Sequence, residues 1–171
     1  MAPALPSASA LFADAASYAF HDIQCRALKG KQPDIDTVIA AFLGASPRWV
    51  DGLMRLRDTL VRPFGLKTAQ PWAANLPRPP YRIGQTLGIF RLLQLTGREV
   101  IVGEDDRHLD FRISLLVDGN DLYMSTLVRP HNLAGQLYLR LVLPFHHLIV
   151  GAMAARLMAQ LDEPKADHQP K

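Results

Sequence analysis

Gly103-Glu104-Asp105-Asp106-Arg107-His108-Leu109-Asp110-Phe111-Arg112 crowds charge and a histidine into the mouth of a run that continues as Ile113-Ser114-Leu115-Leu116-Val117 and then meets Asp118-Gly119-Asn120-Asp121. Alternate residues of a strand share a face. Arg107, Leu109, Phe111, Ile113, Leu115 and Val117 therefore lie on one largely apolar side, and Asp106, His108, Asp110, Arg112 and Ser114 on the other. A strand with one oily and one polar face belongs to an antiparallel sheet covered on one side.

Gly119-Asn120 fits a two-residue hairpin turn. That turn sets Asp118 opposite Asp121, and the register runs outward from it. Leu115 then faces Met124, Ile113 faces Thr126, Phe111 faces Val128 and Arg112 faces Leu127. Asp110 is set opposite Arg129, and His108 opposite His131.

Working outward, Leu87 to Leu95 reads as one strand, turned by Thr96-Gly97 into Arg98 to Gly103. Asp105-Asp106 turns the chain into Arg107 to Val117, and Asp121 to Pro130 ends a meander of four strands. His131-Asn132 closes the sheet, with Asn132 placed to cap a helix from Leu133 to about Gln160. Leu137, Leu141, Leu148, Ala152 and Ala155 give that helix a broad apolar face, expected to be buried, and Pro144 removes one of its hydrogen bonds.

Upstream, residues 1–16 read as an arm and Ser17 to Leu28 as a first strand. Asp34 or Asp36 caps a short helix bearing Val38, Ile39, Phe42 and Leu43, ended by Gly44. Ser46-Pro47 opens a second helix whose buried stripe is Trp49, Val50, Leu53, Leu56 and Leu60, stopped by Pro63 and Gly65. Pro71 to Gln85 is a long loop, of a kind that often serves as a lid or binding loop; Trp72 and Tyr81 give it aromatic anchors, and the plainer reading is that they pin it to the core. The expected fold is α+β. An antiparallel meander wraps on a long C-terminal helix, with two short helices after the first strand, in the manner of a helix grip. One domain covers 17–161, and 162–171 is a flexible polar tail.

Composition agrees. The chain has 171 residues, 49% hydrophobic and 20% charged, with a net charge of +3. That suits one globular core and gives no basic run for nucleic acid. A lone cysteine, Cys25, excludes an internal disulfide and points to a reducing, cytoplasmic setting. Residues 1–19 lack the basic start of an export signal. No membrane span is expected, since the most apolar window, Leu133 to Leu161, contains Arg140, His146, His147 and Arg156. The chain carries no G-x-G-x-x-G, P-loop, C-x-x-C or G-x-S-x-G, so no cofactor is expected.

Several of these strings occur together: Pro47-Arg48-Trp49-Val50, Leu56-Arg57, Phe64-Gly65-Leu66-Lys67, the 103–112 stretch, His131-Asn132, Gly135, Tyr138, Pro144-Phe145-His146 and Ile149-Val150. Together they resemble the bacterial domain of unknown function 2867 family. The resemblance implies a small domain similar to the START/Bet v 1-like (SRPBCC) helix-grip superfamily, which often holds apolar ligands. It also implies an association with NAD(P)-binding oxidoreductase domains. It implies no reaction.

The polar face of the 103–112 strand has three readings. It is a cross-strand ion-pair network built on Asp110 and Arg129, with Arg112 nearby. It is the polar end of a ligand cavity, where His108, His131 and Arg129 orient a carboxylate or carbonyl. Or it is a metal site from Asp106, His108, Asp110 and His131, which Arg112 and Arg129 disfavour by their charge. Asp110, Arg112, His146, Tyr138 and Trp49 are further ligand-contact candidates. The function expected is binding of a small apolar or amphipathic molecule between sheet and C-terminal helix. The alternatives are an enzyme using His108 or His131 with Asp110 as acid/base, and an accessory module for an NAD(P)-dependent oxidoreductase partner. A homodimer is compatible with the exposed helix faces.

Overall fold

The computed structural model describes residues 3–30, 32–52 and 76–162. A 3-10 turn, Ala15–Ser17, leads into strand β1 (Phe20–Ala27) and helix α1 (Ile35–Gly44). Then follow β2 (Thr86–Leu87), β3 (Phe90–Leu95), β4 (Glu99–Asp105), β5 (Leu109–Asp118), β6 (Asp121–Pro130) and helix α2 (Leu133–Asp162). The strands form one antiparallel sheet of six in the order β1-β6-β5-β4-β3-β2. With the long C-terminal helix this is a helix-grip-like α+β arrangement.

The register read from Gly119-Asn120 is the register found. Asp118 pairs with Asp121, Leu115 with Met124, Phe111 with Val128 and Asp110 with Arg129. Gly119 takes the left-handed φ of +59° that the tight turn needs. The stretch read as one strand from Leu87 to Leu95 is instead two, folded back at Gly88, where φ is +63°. Asp34 is the cap of α1, its carboxylate accepting from the amide of Thr37 at 2.7 Å.

The two faces of the sheet are covered differently. On one, Leu92, Val100, Val102, Leu115, Val117, Leu122 and Met124 pack against α1 and the C-terminal end of α2, which contributes Ala154 and Leu157. Tyr81 is buried in the same cluster, so this part of the expected long loop is pinned to the core. On the other face, Ile101 and Leu127 are covered by Leu11 of the N-terminal arm, with Leu5, Ala15 and Tyr18 around it. The arm is held by Glu99, which is buried. Ser9 and Ser114 each donate to its Oε1 at 2.6 Å, and the amide of Ala10 donates to Oε2 at 2.9 Å.

Three expectations are corrected. Trp49 lies in a helical segment at 48–52 but is 47% exposed, while its neighbour Val50 is buried. The α2 residues expected to be buried are largely on the outside. Leu137 and Leu148 are 57% and 64% exposed, Leu141 is exposed too, and Gly135, Ala154 and Leu157 form the buried side. A helix whose apolar residues go all round leaves the sequence no way to say which stripe meets the sheet. By length and composition α2 is also long and apolar enough to cross a membrane, contrary to the expectation that no window reaches that level. Here it is tied along the sheet and α1 at Gly135, His146 and Ala154. Leu53, Leu56, Leu60, Pro63, Gly65, Trp72 and the 163–171 tail lie outside the described residues.

Candidate functional site

The charged 103–112 stretch divides its side chains among three tasks. The first is local: Arg112 bonds Asp105 at 2.6 Å and the carbonyl of Phe111 at 2.9 Å, which closes the β4–β5 hairpin. The second is to hold the start of α2. The Asn132 side-chain oxygen accepts from the amide of Gly135 at 3.0 Å, capping the helix, while its amide nitrogen donates to the carbonyl of Arg107 at 3.3 Å. His108 Nδ1 lies 3.3 Å from the same Asn132 oxygen, and the His108 carbonyl accepts from the amide of His131 at 2.8 Å.

The third task belongs to Asp110, which is 5% exposed. Its Oδ2 meets Arg129 Nη2 at 2.7 Å and His131 Nε2 at 2.9 Å. Burial alone would push this carboxyl up, but hydrogen bonds and charge from Arg129 and His131 outweigh it and hold the carboxyl below its ordinary value. The Asp110 hydrogen bond raises Arg129 in turn. Arg129 also lies over the Tyr18 ring, 5.3 Å from its centre, and reaches Ser17 Oγ at 3.4 Å. Alternation and register put Asp110, Arg112, Arg129 and Leu127 on the arm-covered face, away from α2. Asp110, Arg129 and His131 come together as a cross-strand network, whereas His108 is engaged with Asn132. Arg129 on Asp110 also occupies the place a metal would need.

The seam between sheet and α2 carries a different polar group. Phe20 and Asp22 stand across from Val128 and Thr126, so they share the helix-facing side with Phe111 and Ile113. His146 of α2 reaches Asp22 Oδ2 at 2.9 Å, and His147 Nδ1 lies 3.7 Å from it. Burial lowers the His146 pKa, and Asp22 works against that shift. Phe20 packs edge-on to the His146 ring, with centroids 5.6 Å apart. His146 was a candidate on sequence grounds; Asp22 was not. Its only signal was a carboxylate on the same alternation as Phe20, and its partner lies 124 residues away. Tyr138 is half-buried on α2, and Trp49 stands exposed on its helical segment.

A family model described as Protein of unknown function (DUF2867) matches residues 15–153, spanning β1, the whole sheet and most of α2. The chain belongs to the DUF2867 family. The part of DUF2867 matched here includes both the Arg107–Asn132 latch and the Asp22–His146 contact. No curated protein and no solved structure gives a significant match.

Proposed function

We propose that this DUF2867 domain is a bacterial, cytoplasmic binding module of START/Bet v 1-like kinship that takes a small apolar or amphipathic molecule between the sheet and the first half of α2. What carries this reading is the gradient of packing along the seam. At the β5–β6 turn the sheet face is filled by Leu115, Val117, Leu122, Val38 and Leu157. At the other end Phe20, Phe90, Phe111 and Ile113 are only half-buried, with Asp22 and His146 beside them as a polar point. Apolar walls with a few convergent polar groups are what small-molecule sites use. The test is native mass spectrometry of the purified chain, followed by denaturing extraction. A reproducible excess mass, released as one small molecule and lost when Ile113→Trp fills the seam, is the expected result. Identical, adduct-free spectra for both proteins, together with no binding of a fluorescent fatty-acid probe, would overturn the proposal.

A second reading is favoured by one observation. Leu133, Leu137, Leu141 and Leu148 are exposed and recur along one side of α2. In this reading the domain is an accessory module and the stripe docks on an NAD(P)-dependent oxidoreductase. Leu137→Glu with Leu141→Glu should then abolish co-purification with that partner while leaving the thermal melt unchanged. Retained co-purification would exclude the stripe.

A further inference from the structure

Among the described residues, Asp22, His146 and His147 are the one group of three His, Cys, Asp or Glu side chains whose ligating atoms all lie within 4.8 Å of one another. A dication held at 2.0–2.2 Å by nitrogen and carboxylate ligands keeps neighbouring donor atoms roughly 3–3.5 Å apart. Asp22 Oδ2 already stands 2.9 Å from His146 Nε2 and 3.7 Å from His147 Nδ1. The remaining pair, His146 and His147, has its ligating atoms within 4.8 Å of each other.

We propose that Asp22, His146 and His147 bind one transition-metal dication of the zinc type at the junction of β1 and α2, with three protein ligands and a further position left for water or an exogenous donor. Charge is the first argument. The Asp22 side chain is 14% exposed, and no Arg or Lys among the described residues pairs with it. A carboxylate withdrawn from water calls for a compensating positive charge. The other Asp–His contact makes the contrast: Asp110 has Arg129 at 2.7 Å, and that guanidinium both satisfies the carboxylate and repels a dication. Ligand chemistry is the second. Two imidazoles and a carboxylate suit zinc, iron, cobalt or nickel and do not suit calcium or magnesium. Rigidity is the third. Phe20 lies against both imidazoles, 5.6 Å and 6.3 Å between ring centres, and walls the group on one side. His147 remains 60% exposed, which gives an entry path.

This inference goes beyond the ligand-binding reading and does not depend on it, because metal alone is the probe. The full chain is stripped with a chelator and titrated with Co²⁺, followed by the d–d absorption of the ion. Zn²⁺ competition and native mass spectrometry then give the stoichiometry. One ion per chain, displaced by Zn²⁺, is expected. His147→Ala, at an exposed position that should leave the fold intact by circular dichroism, is expected to weaken binding by more than the roughly 100-fold seen on losing an outer-shell partner. Asp22→Asn should abolish the Co²⁺ spectrum, and His21→Ala, on the opposite face, should leave it unchanged. Absence of stoichiometric uptake would overturn the proposal. So would uptake that survives both His147→Ala and Asp22→Asn, which would mark adventitious surface binding.

Discussion

The first turn of α2 passes so close to the mouth of β5 that a Cβ on Gly135 would run into the carbonyl oxygen of His108 and stand 2.9 Å from its carbonyl carbon. Helix propensity alone would make Gly135→Ala stabilising by about 0.8–1.0 kcal/mol. The obstacle is backbone, and that same carbonyl already accepts from His131, so it cannot retreat without loss. Overpacking of this kind costs about 1–3 kcal/mol. Gly135→Ala is therefore expected to lower stability by up to roughly 2 kcal/mol in urea unfolding, and a stabilised variant would show that the helix and the hairpin are not in hard contact.

Asn132 joins the same two elements through its side chain. Asn132→Ala loses the helix cap, at about 0.5–2 kcal/mol, and leaves the Arg107 carbonyl unpaired. Asn132→Asp keeps the capping oxygen and adds a favourable charge at the helix start, but it can no longer donate to Arg107. The expected order of stability is Asn, then Asp, then Ala. Equal stability of the Asp and Asn proteins would mean that the Arg107 contact contributes no more than the charge at the helix start.

Much of the fold was legible because its signals are local. Gly119-Asn120 fixed a hairpin, and from it every pair down to Asp110–Arg129 followed by counting. The caps Asp34 and Asn132 were likewise readable from residue type and position. Other features depend on what packs where. Nothing in residues 1–16 announces that Leu11 will cover Ile101 and Leu127. The apolar surplus of α2 hides which side meets the sheet. The split at Gly88 was signalled only by that one glycine, set inside an otherwise strand-like run. At the candidate site, Asp110, Arg129 and His131 could be paired from register, whereas Asp22 and His146 meet only through the tertiary fold.

Glu99 decides whether the arm stays down. Its carboxylate is the shared acceptor for Ser9, Ala10 and Ser114. Hydrogen bonds to a charged acceptor contribute about 1.5–3 kcal/mol, and buried donors left without one cost a similar amount. Glu99→Ala should therefore destabilise the domain by roughly that amount and loosen the arm. Limited chymotrypsin digestion reads this directly, because Phe12 sits on the arm and is half-exposed. Cleavage at Phe12 is expected to be slow in the parent chain and fast in Glu99→Ala, and slow in Ser17→Ala. Equal cleavage of parent and Glu99→Ala would mean that Leu11 packing alone holds the arm.

Asp110 sets an acid limb of stability. Its folded pKa lies below the ordinary aspartate value because Arg129 and His131 together outweigh the cost of its burial. A depressed carboxyl contributes stability that is fully present above the unfolded pKa and is lost as pH falls through the folded one. Arg129 stays charged throughout and adds no slope of its own in this range. Asp110→Asn removes the charge but keeps the shape and one acceptor, so it should cost about 1.5–3 kcal/mol near neutrality. The difference from the parent should then shrink as pH falls below about 4, where the carboxyl in the unfolded chain takes up its proton first, and close only below the lower folded value. Other carboxyls titrate alike in both proteins and cancel in the difference. Urea unfolding of the pair from about pH 5 down to about pH 3, below the ordinary histidine range, gives that difference directly. A gap that stays constant, or widens in acid, would show that the Asp110–Arg129–His131 cluster is held by packing and not by charge.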